Sequence, residues 1–349
     1  MIRKHFEDYN FVGIPETGVT FRWGNNLKEN PYMAPWPELA DISISNYCTN
    51  ECEYCYRSSS QDGKLISIND YEFLLKQLTS DKYGAVFQVA LGGGEPLLHP
   101  DFNEILKITR EKFNIIPNYT TSGKFFDKEN IEATRKYCGA IAISYDPYRD
   151  LSLDDISEIG ANLKQNNIKA NIHYVISEKT LNNAIEIIEG KYDEYLMSFN
   201  AIIFLTHKPF GRADNQDSIK SPDMLKSFLN LIDNPISKVR MGFDACFVPL
   251  LMKNTDVDNK MIDSCECGFF SVYIDENLNV MPCSFCNDDN FKYNLKEFNF
   301  GEIWLDKFSD YRNLITEYGR IDCDDCDKLD DCRGKCPFFD ELFLCKLIS

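Results

Sequence analysis

Between residues 40 and 245 the chain alternates β-rich and helical stretches, and this alternation limits the folds open to it more than any other feature. ADISISN (40–46), GAVFQVALGGG (84–94), NIIPNYTTSG (114–123), GAIAISYDP (139–147), IKANIHYVIS (168–177) and NAIIFLTHKPFG (200–211) read as strands. SINDYEFLLKQL (67–78), HPDFNEILKITREKF (99–113), KENIEATRKYC (128–138), LDDISEIGANLKQNN (153–167) and TLNNAIEIIEGKY (180–192) carry apolar residues at helical spacing. Strands separated by such helices pair in parallel. The result is roughly six βα units, two short of a complete eight-unit barrel. The expected fold class is therefore α/β: a partial (β/α)6 TIM-like barrel.

From about residue 246 the alternation stops. Ten of the fourteen cysteines lie between Cys246 and Cys345. CDDCDKLDDCRGKCPFF is small, acidic and loop-like, which suits a domain held by metal rather than by a large apolar core. Three segments are expected: an N-terminal extension over 1–39, the partial barrel over 40–245, and a small cysteine-rich, metal-held domain over 246–349. In the first, FRWGNN and PYMAPWPEL read as an extended aromatic, proline-rich arm wrapping the barrel.

Charge narrows the partners. A formal net charge of −18 argues against generic nucleic-acid or anionic-membrane binding. The start, MIRKHFEDYNF, has an acidic pair where a signal peptide needs an apolar core, and no run approaches the ~18 apolar residues of a membrane helix. The expected location is cytoplasmic. In that reducing setting clustered cysteines bind metal or do redox chemistry more often than they form disulfides.

The first cluster is CTNECEYC (48–55), with Cys48, Cys52 and Cys55 in C-x3-C-x2-C spacing directly after a predicted strand. Three thiolates on a loop can ligate three irons of a [4Fe–4S] cluster and leave the fourth open. Tetrahedral zinc wants a fourth Cys or His, and none lies close in sequence. GGGEP (92–96) ends the next predicted strand. Its glycines form a tight turn or let the backbone approach a ligand, and Glu95 can accept from an amine. The tail carries Cys323-x2-Cys326-x5-Cys332-x3-Cys336, then Cys345. Chance gives such a four-cysteine spacing roughly once per thousand chains, so it is strong for metal, with zinc the competing ion. Cys265, Cys267, Cys283 and Cys286 lie upstream. His99 reads as a cap or packing residue at a helix start. His173 and His207 fall on predicted barrel strands, where they are candidates for lining a cavity.

CTNECEYC followed by GGGEP resembles the radical S-adenosylmethionine (SAM) enzymes, and the tail resembles their SPASM extension. TTSG (120–123), ISYD (143–146) and KPFGRA (208–213) are further matching features. The resemblance implies Cys48, Cys52 and Cys55 as ligands of the SAM-binding cluster. It implies Tyr54 beside the adenine, and Glu95, within the glycine turn of Gly93 and Gly94, on the methionine amine. Ser144 matches a position near the ribose or carboxylate, and Thr121, Ser122 and Asn171 are further candidates in the same pocket. Arg212 is a candidate to neutralise a carboxylate, or an exposed structural arginine. Two auxiliary [4Fe–4S] clusters are also implied, giving three in all. The second would use Cys323, Cys326, Cys332 and Cys345. The first would use Cys283 and Cys336 with Cys265, Cys267 or both. Leu278 stands where the SPASM pattern has glycine before Cys283, and Cys246 and Cys286 are extra candidates.

The activity implied is a 5′-deoxyadenosyl radical that modifies a ribosomally made peptide or protein by crosslinking, oxidation or epimerisation. The implied partners are that peptide and a low-potential electron donor such as flavodoxin or ferredoxin. Residues 1–40 are too short for the leader-binding winged-helix domain of many such enzymes, so a leader would need a separate recognition protein, or no leader is used. The alternatives are a radical SAM dehydrogenase acting on a small molecule and, in another class, a zinc-stabilised binding protein.

Overall fold

A computed structural model describes residues 1–258, 262–318, 321, 323, 326–329 and 332–348. Asp324, Asp325, Asp330 and Asp331 of the acidic tail run lie outside the described residues. The chain divides into two compact units. One comprises residues 1–50, 59–141 and 267–312, the other 51–58, 142–266 and 313–349.

The first unit opens with three strands, β1 (Ile2–Phe6), β2 (Tyr9–Ile14) and β3 (Val19–Trp23), in an antiparallel sheet of order β1-β2-β3. This corrects the expectation of an extended arm: FRW of FRWGNN is the end of β3. Side chains of β1 alternate half-buried and exposed, and Gly18, at φ +76°, makes the second turn. That alternation and that turn were the readable signals. Phe87 fills the space where a side chain at Gly13 would stand, and its ring meets Phe11 edge-on.

β4 (Leu39–Ser45) follows, then α1 (Ile68–Gln77), a short hairpin of β5 (Thr79–Ser80) and β6 (Gly84–Ala85), β7 (Gln88–Gly93), α2 (Phe102–Lys107), β8 (Ile116–Thr121) and α3 (Lys128–Tyr137). Ser67 caps α1 by accepting from the Asp70 N–H, and Asp127 with Asn130 forms a capping box on α3. β4 pairs in parallel with β7, and β7 with β8. On its other side β4 pairs in parallel with β13 (Ser271–Ile274), which continues antiparallel into β14 (Asn279–Met281) and β15 (Tyr293–Asn294). Along β4, Ala40, Ile42 and Ile44 are fully buried on one face, leaving Asp41, Ser43 and Ser45 on the other.

The second unit carries β9 (Ile141–Ser144), α4 (Leu153–Gln165), β10 (Ala170–Ile176), α5 (Leu181–Ile188), α6 (Asp193–Leu196), β11 (Ala201–Thr206), α7 (Pro222–Asp233), β12 (Met241–Phe243) and α8 (Val248–Asn254). Its strands lie in the order β12-β11-β10-β9, with β10, β11 and β12 parallel. On β10 the residues alternate strictly: Ile172, Tyr174 and Ile176 are buried, while Asn171, His173 and Val175 occupy the other face. The architecture is the mixed α/β fold with a largely parallel sheet that the alternation predicts. All six expected strands are present as β4, β7, β8, β9, β10 and β11. β4 is as long as its sequence run and offset by one residue, and the other five are shorter than theirs.

Leu278 has φ +67° in the β13–β14 turn, and its side chain is buried. The position therefore does ask for a left-handed backbone. Leucine meets the demand at a cost of about 1–2 kcal/mol, offset by burying its side chain.

Candidate active site

The division between the units falls inside CTNECEYC, between Asn50 and Glu51. Cys48 belongs to the first unit and Cys52 and Cys55 to the second.

In the first unit the turn after β7 packs on the chain leading into Cys48. Gly94 N–H donates to Ser45 O at 2.6 Å, and Glu95 N–H to Tyr47 O at 2.9 Å. A side chain at Gly93, where φ is +107°, would stand 2.0 Å from Ser45 O, and one at Gly94 would stand 2.1 Å from Tyr47 O. These two glycines permit backbone-on-backbone contact. Gly92 differs: a side chain there would meet nothing within 4 Å. Cys48 is held by its N–H to Ser60 O at 2.9 Å, and its Sγ accepts from the Asn50 N–H at 3.4 Å.

Glu95 is the organising residue of this half. It is 2 % exposed. Its Oε1 accepts from Thr121 Oγ1 at 2.6 Å and from Leu97 N–H at 3.2 Å, and its Oε2 accepts from Ser122 N–H at 2.8 Å. All three donors are neutral, so no cation among the described residues answers its charge. Beside it the Ser122 Oγ is buried with no hydrogen-bond partner among the described residues. A buried carboxylate facing only neutral donors and a buried orphan hydroxyl together suit a ligand bearing an ammonium and further polar atoms. The methionine end of SAM has that chemistry.

In the second unit Tyr54 donates to Asp146 Oδ2 at 2.6 Å, and Arg149 Nε donates to the same oxygen at 2.9 Å. The Arg149 guanidinium lies 5.3 Å from the Tyr54 ring centroid, and its Nη1 is 3.9 Å from Cys52 Sγ. Burial holds the Tyr54 phenol well above its ordinary range, so it stays a donor. Tyr54, Asp146, Ser177, Thr180 and His207 help to line a cavity of about 30 Å³. Arg212, an exposed side chain, caps the cysteine loop: its Nε donates to Cys52 O at 2.9 Å and its N–H to Cys55 O at 3.0 Å. Gly211, at φ +70°, allows that approach, since a side chain there would stand 2.3 Å from Tyr56 O.

Ser144 ends β9 half-buried. Asn171 is second in β10, at the strand's N-terminal end, and its Oδ1 accepts from Asn200 Nδ2 at 3.2 Å. Sites on parallel βα sheets form at the C-terminal strand ends, so this position carries no further role here. His99 is a packing residue as expected: its Nε2 meets Ile66 O at 2.9 Å, and its Nδ1 accepts from Asp101 N–H at 3.1 Å. Lys208 and Asp244 form an ion pair of 2.7 Å at the ends of β11 and β12.

Burial lowers the His173 imidazole to about 4, with the Asp244 charge opposing and the Arg149 charge reinforcing the fall. The ring is neutral at pH 7. Between pH 6.5 and 4 the unfolded chain binds a proton that the folded chain refuses. Stability present above pH 6.5 is therefore lost as pH falls, by up to roughly 3 kcal/mol at pH 4. Urea unfolding at pH 7 and pH 4.5 should show a smaller loss for His173→Leu than for the wild type. Equal losses would assign the pH dependence elsewhere.

In the tail, Cys323, Cys326, Cys332 and Cys345 ring a cavity of about 410 Å³, which Lys253 and Phe343 also line. Burial pushes the Cys332 thiol up to about 11 and the Cys345 thiol up to about 12, with neighbouring thiols adding to each rise. The Gly334 N–H opposes the first and the Lys253 charge the second. Metal binding reverses such shifts, because a coordinating thiol is deprotonated outright. Among the described residues no three His, Cys, Asp or Glu side chains are gathered tightly enough to hold a metal ion as they stand. Tetrahedral zinc draws its sulfurs to about 2.3 Å from one point. Cys267, Cys283 and Cys286 lie in the first unit and Cys246, Cys265 and Cys336 in the second. Cys283 Sγ accepts from the Phe285 N–H at 3.4 Å, and Cys332 Sγ from the Gly334 N–H at 3.3 Å, the same i+2 contact that Cys48 makes. Cys286 instead donates to Asp288 O at 3.7 Å, as a thiol does.

The Radical SAM superfamily pattern matches residues 42–146, a span that contains CTNECEYC, GGGEP and ISYD. Over that span the chain is similar to the Radical SAM superfamily. It is 22% identical over 331 residues to the antilisterial bacteriocin subtilosin biosynthesis protein AlbA of Bacillus subtilis, covering 87% of this chain and 67% of AlbA. It is 23% identical over 341 residues to the 7,8-dihydro-6-hydroxymethylpterin dimethyltransferase of Methanocaldococcus jannaschii, covering 89% of this chain and 66% of that enzyme. The chain thus spans about two thirds of the length of these curated relatives. Its fold is similar to that of Streptococcus suis SuiB bound to its precursor peptide SuiA, with a TM-score of 0.70, 18% identity, and coverage of 90% of this chain and 74% of SuiB. Among the described residues no helix is long and apolar enough to cross a membrane.

Sequence reasoning missed Arg149 and Lys253. Arg149 sits three residues after Asp146, and the spacing alone does not say that both turn toward the cysteine loop.

Proposed function

We propose that this chain binds SAM on a [4Fe–4S] cluster held by Cys48, Cys52 and Cys55, and modifies a ribosomally made peptide or protein. The observation that carries the SAM site is Glu95: a buried carboxylate with three neutral donors beside an orphan Ser122 hydroxyl. When bound, the cluster and SAM supply a 5′-deoxyadenosyl radical, which abstracts hydrogen from an unactivated C–H bond. The chain's residues bind, orient and exclude water. Glu95 and Ser122 take the methionine end, Thr121 fixes the Glu95 rotamer, and Ser144 takes a second polar group of SAM. Tyr54, locked to Asp146, presents its ring beside the adenine. Residues 246–349 form the auxiliary-cluster domain, with Cys323, Cys326, Cys332 and Cys345 on one cluster and Cys283 and Cys336 with Cys265, Cys267 or both on the other. Reduced thiolates on this scale suit a cytoplasmic setting with a flavodoxin- or ferredoxin-like donor.

A peptide substrate is supported by AlbA, a bacteriocin biosynthesis protein, and by SuiB, which binds a precursor peptide. The pterin dimethyltransferase favours the second reading, a small-molecule substrate. Anaerobic reconstitution should load about twelve irons per chain, as three four-iron clusters require. Dithionite-reduced protein should cleave SAM to 5′-deoxyadenosine. A short peptide encoded beside the gene should then lose the mass of about two hydrogens, or take up solvent deuterium at unchanged mass. One bound zinc and no SAM cleavage would overturn the proposal. SAM cleavage with every encoded neighbouring peptide unaltered would favour the small molecule.

A further inference from the structure

We propose that Arg149 is a positioning and charge-compensating residue for the cluster bound by the CTNECEYC loop, setting how readily that cluster accepts an electron. The inference rests on the function proposed above, and it assigns a role to a residue outside the three-cysteine motif.

Three contacts place the guanidinium. Its Nε donates to Asp146 Oδ2 at 2.9 Å, its plane lies over the Tyr54 ring, and its Nη1 reaches Cys52 Sγ at 3.9 Å. Asp146 is 1 % exposed and is fixed in turn by Tyr54 Oη at 2.6 Å and by the Tyr148 N–H at 3.0 Å. The arginine is therefore a fixed cation in a low-dielectric site, held there by a carboxylate that a tyrosine of the cysteine loop also holds.

A one-electron reduction adds one negative charge to the cluster and its thiolates. The electron comes from a low-potential donor, and no bond or proton is exchanged. A fixed positive charge and an N–H directed at a ligand sulfur both favour the more negative, reduced state. Arg149 thus raises the midpoint potential. Tyr54 couples the same network to the loop: its OH ties the loop to Asp146, and its ring stands 5.3 Å from the guanidinium in a cation–π contact.

The test follows the EPR signal of the reduced cluster during a redox titration of the whole reconstituted protein without SAM. The relevant cluster is identified as the one whose signal changes when SAM is added. Iron content is measured in parallel. Arg149→Gln should keep its iron and shift the midpoint downward. Arg149→Lys keeps the charge but loses the planar fork, so it should shift downward by less. It also serves if the neutral variant fails to load. Loaded variants with the wild-type midpoint would overturn the inference while leaving the proposed function intact. A wild-type protein with no SAM-responsive cluster signal would overturn the proposed function, and this inference with it.

Discussion

Replacing Cys48, Cys52 or Cys55 singly with alanine is expected to lower the iron content of the reconstituted protein from about twelve to about eight per chain and to abolish 5′-deoxyadenosine formation. With two thiolates left, the loop cannot hold four irons, and no other cysteine adjoins it in sequence. Loop geometry should survive the change. Cys48 is fixed through its backbone to Ser60 O, and the Cys52 and Cys55 carbonyls are held by Arg212. Iron assay, EPR and chromatographic detection of 5′-deoxyadenosine read the result. Cys138→Ala is the control: Cys138 is a buried thiol whose ionisation burial opposes, and its loss should leave the full iron complement. Full iron and SAM cleavage in all three loop variants would remove the cluster from this loop.

Glu95→Gln is expected to weaken SAM binding by about tenfold to a hundredfold, the 1.5–3 kcal/mol typical of a hydrogen bond to a charged group. The reason lies in the Glu95 environment, where every donor is neutral. In the free protein the exchange has its own cost, because the amide NH2 must face a donor, either Ser122 N–H or the Thr121 and Leu97 pair. Thermal stability should fall by about 1–3 kcal/mol alongside the loss of affinity. Ser122→Ala sharpens the test. Its Oγ has no partner among the described residues, so removing it should leave stability unchanged or higher while weakening SAM by up to about 1 kcal/mol. Equilibrium dialysis with SAM and thermal melts of both variants check these outcomes. A Glu95→Gln protein that binds SAM as the wild type does would move the amine site elsewhere.

Much of the fold was legible because its signals are local. Ser67 and Asp127 mark helix starts where the chain places them, and the apolar faces of α1, α3 and α4 repeat at the helical period. The strands of the barrel were readable as β-branched runs. The N-terminal sheet was misread as an arm, because aromatic and proline content outweighed a short alternation in IRKHF and VTFRW. The GGGEP glycines were visible, but not their division of labour. Gly93 and Gly94 answer backbone packing against Ser45 and Tyr47, and only Gly92 opens on free space.

By itself the sequence determined the βα alternation, the vacancy in a three-cysteine loop and the four-cysteine spacing of the tail. Each is a matter of spacing or local backbone conformation, which the chain carries in its order of residues. Only the tertiary structure decided which groups meet. Glu95 lies 26 residues before Thr121 and Tyr54 lies 92 residues before Asp146, and no spacing rule connects them. Their juxtaposition follows from parallel strands that bring successive C-terminal ends to one side of a sheet. Whether a buried charge finds a cation there or waits for a ligand depends on what every neighbouring strand contributes.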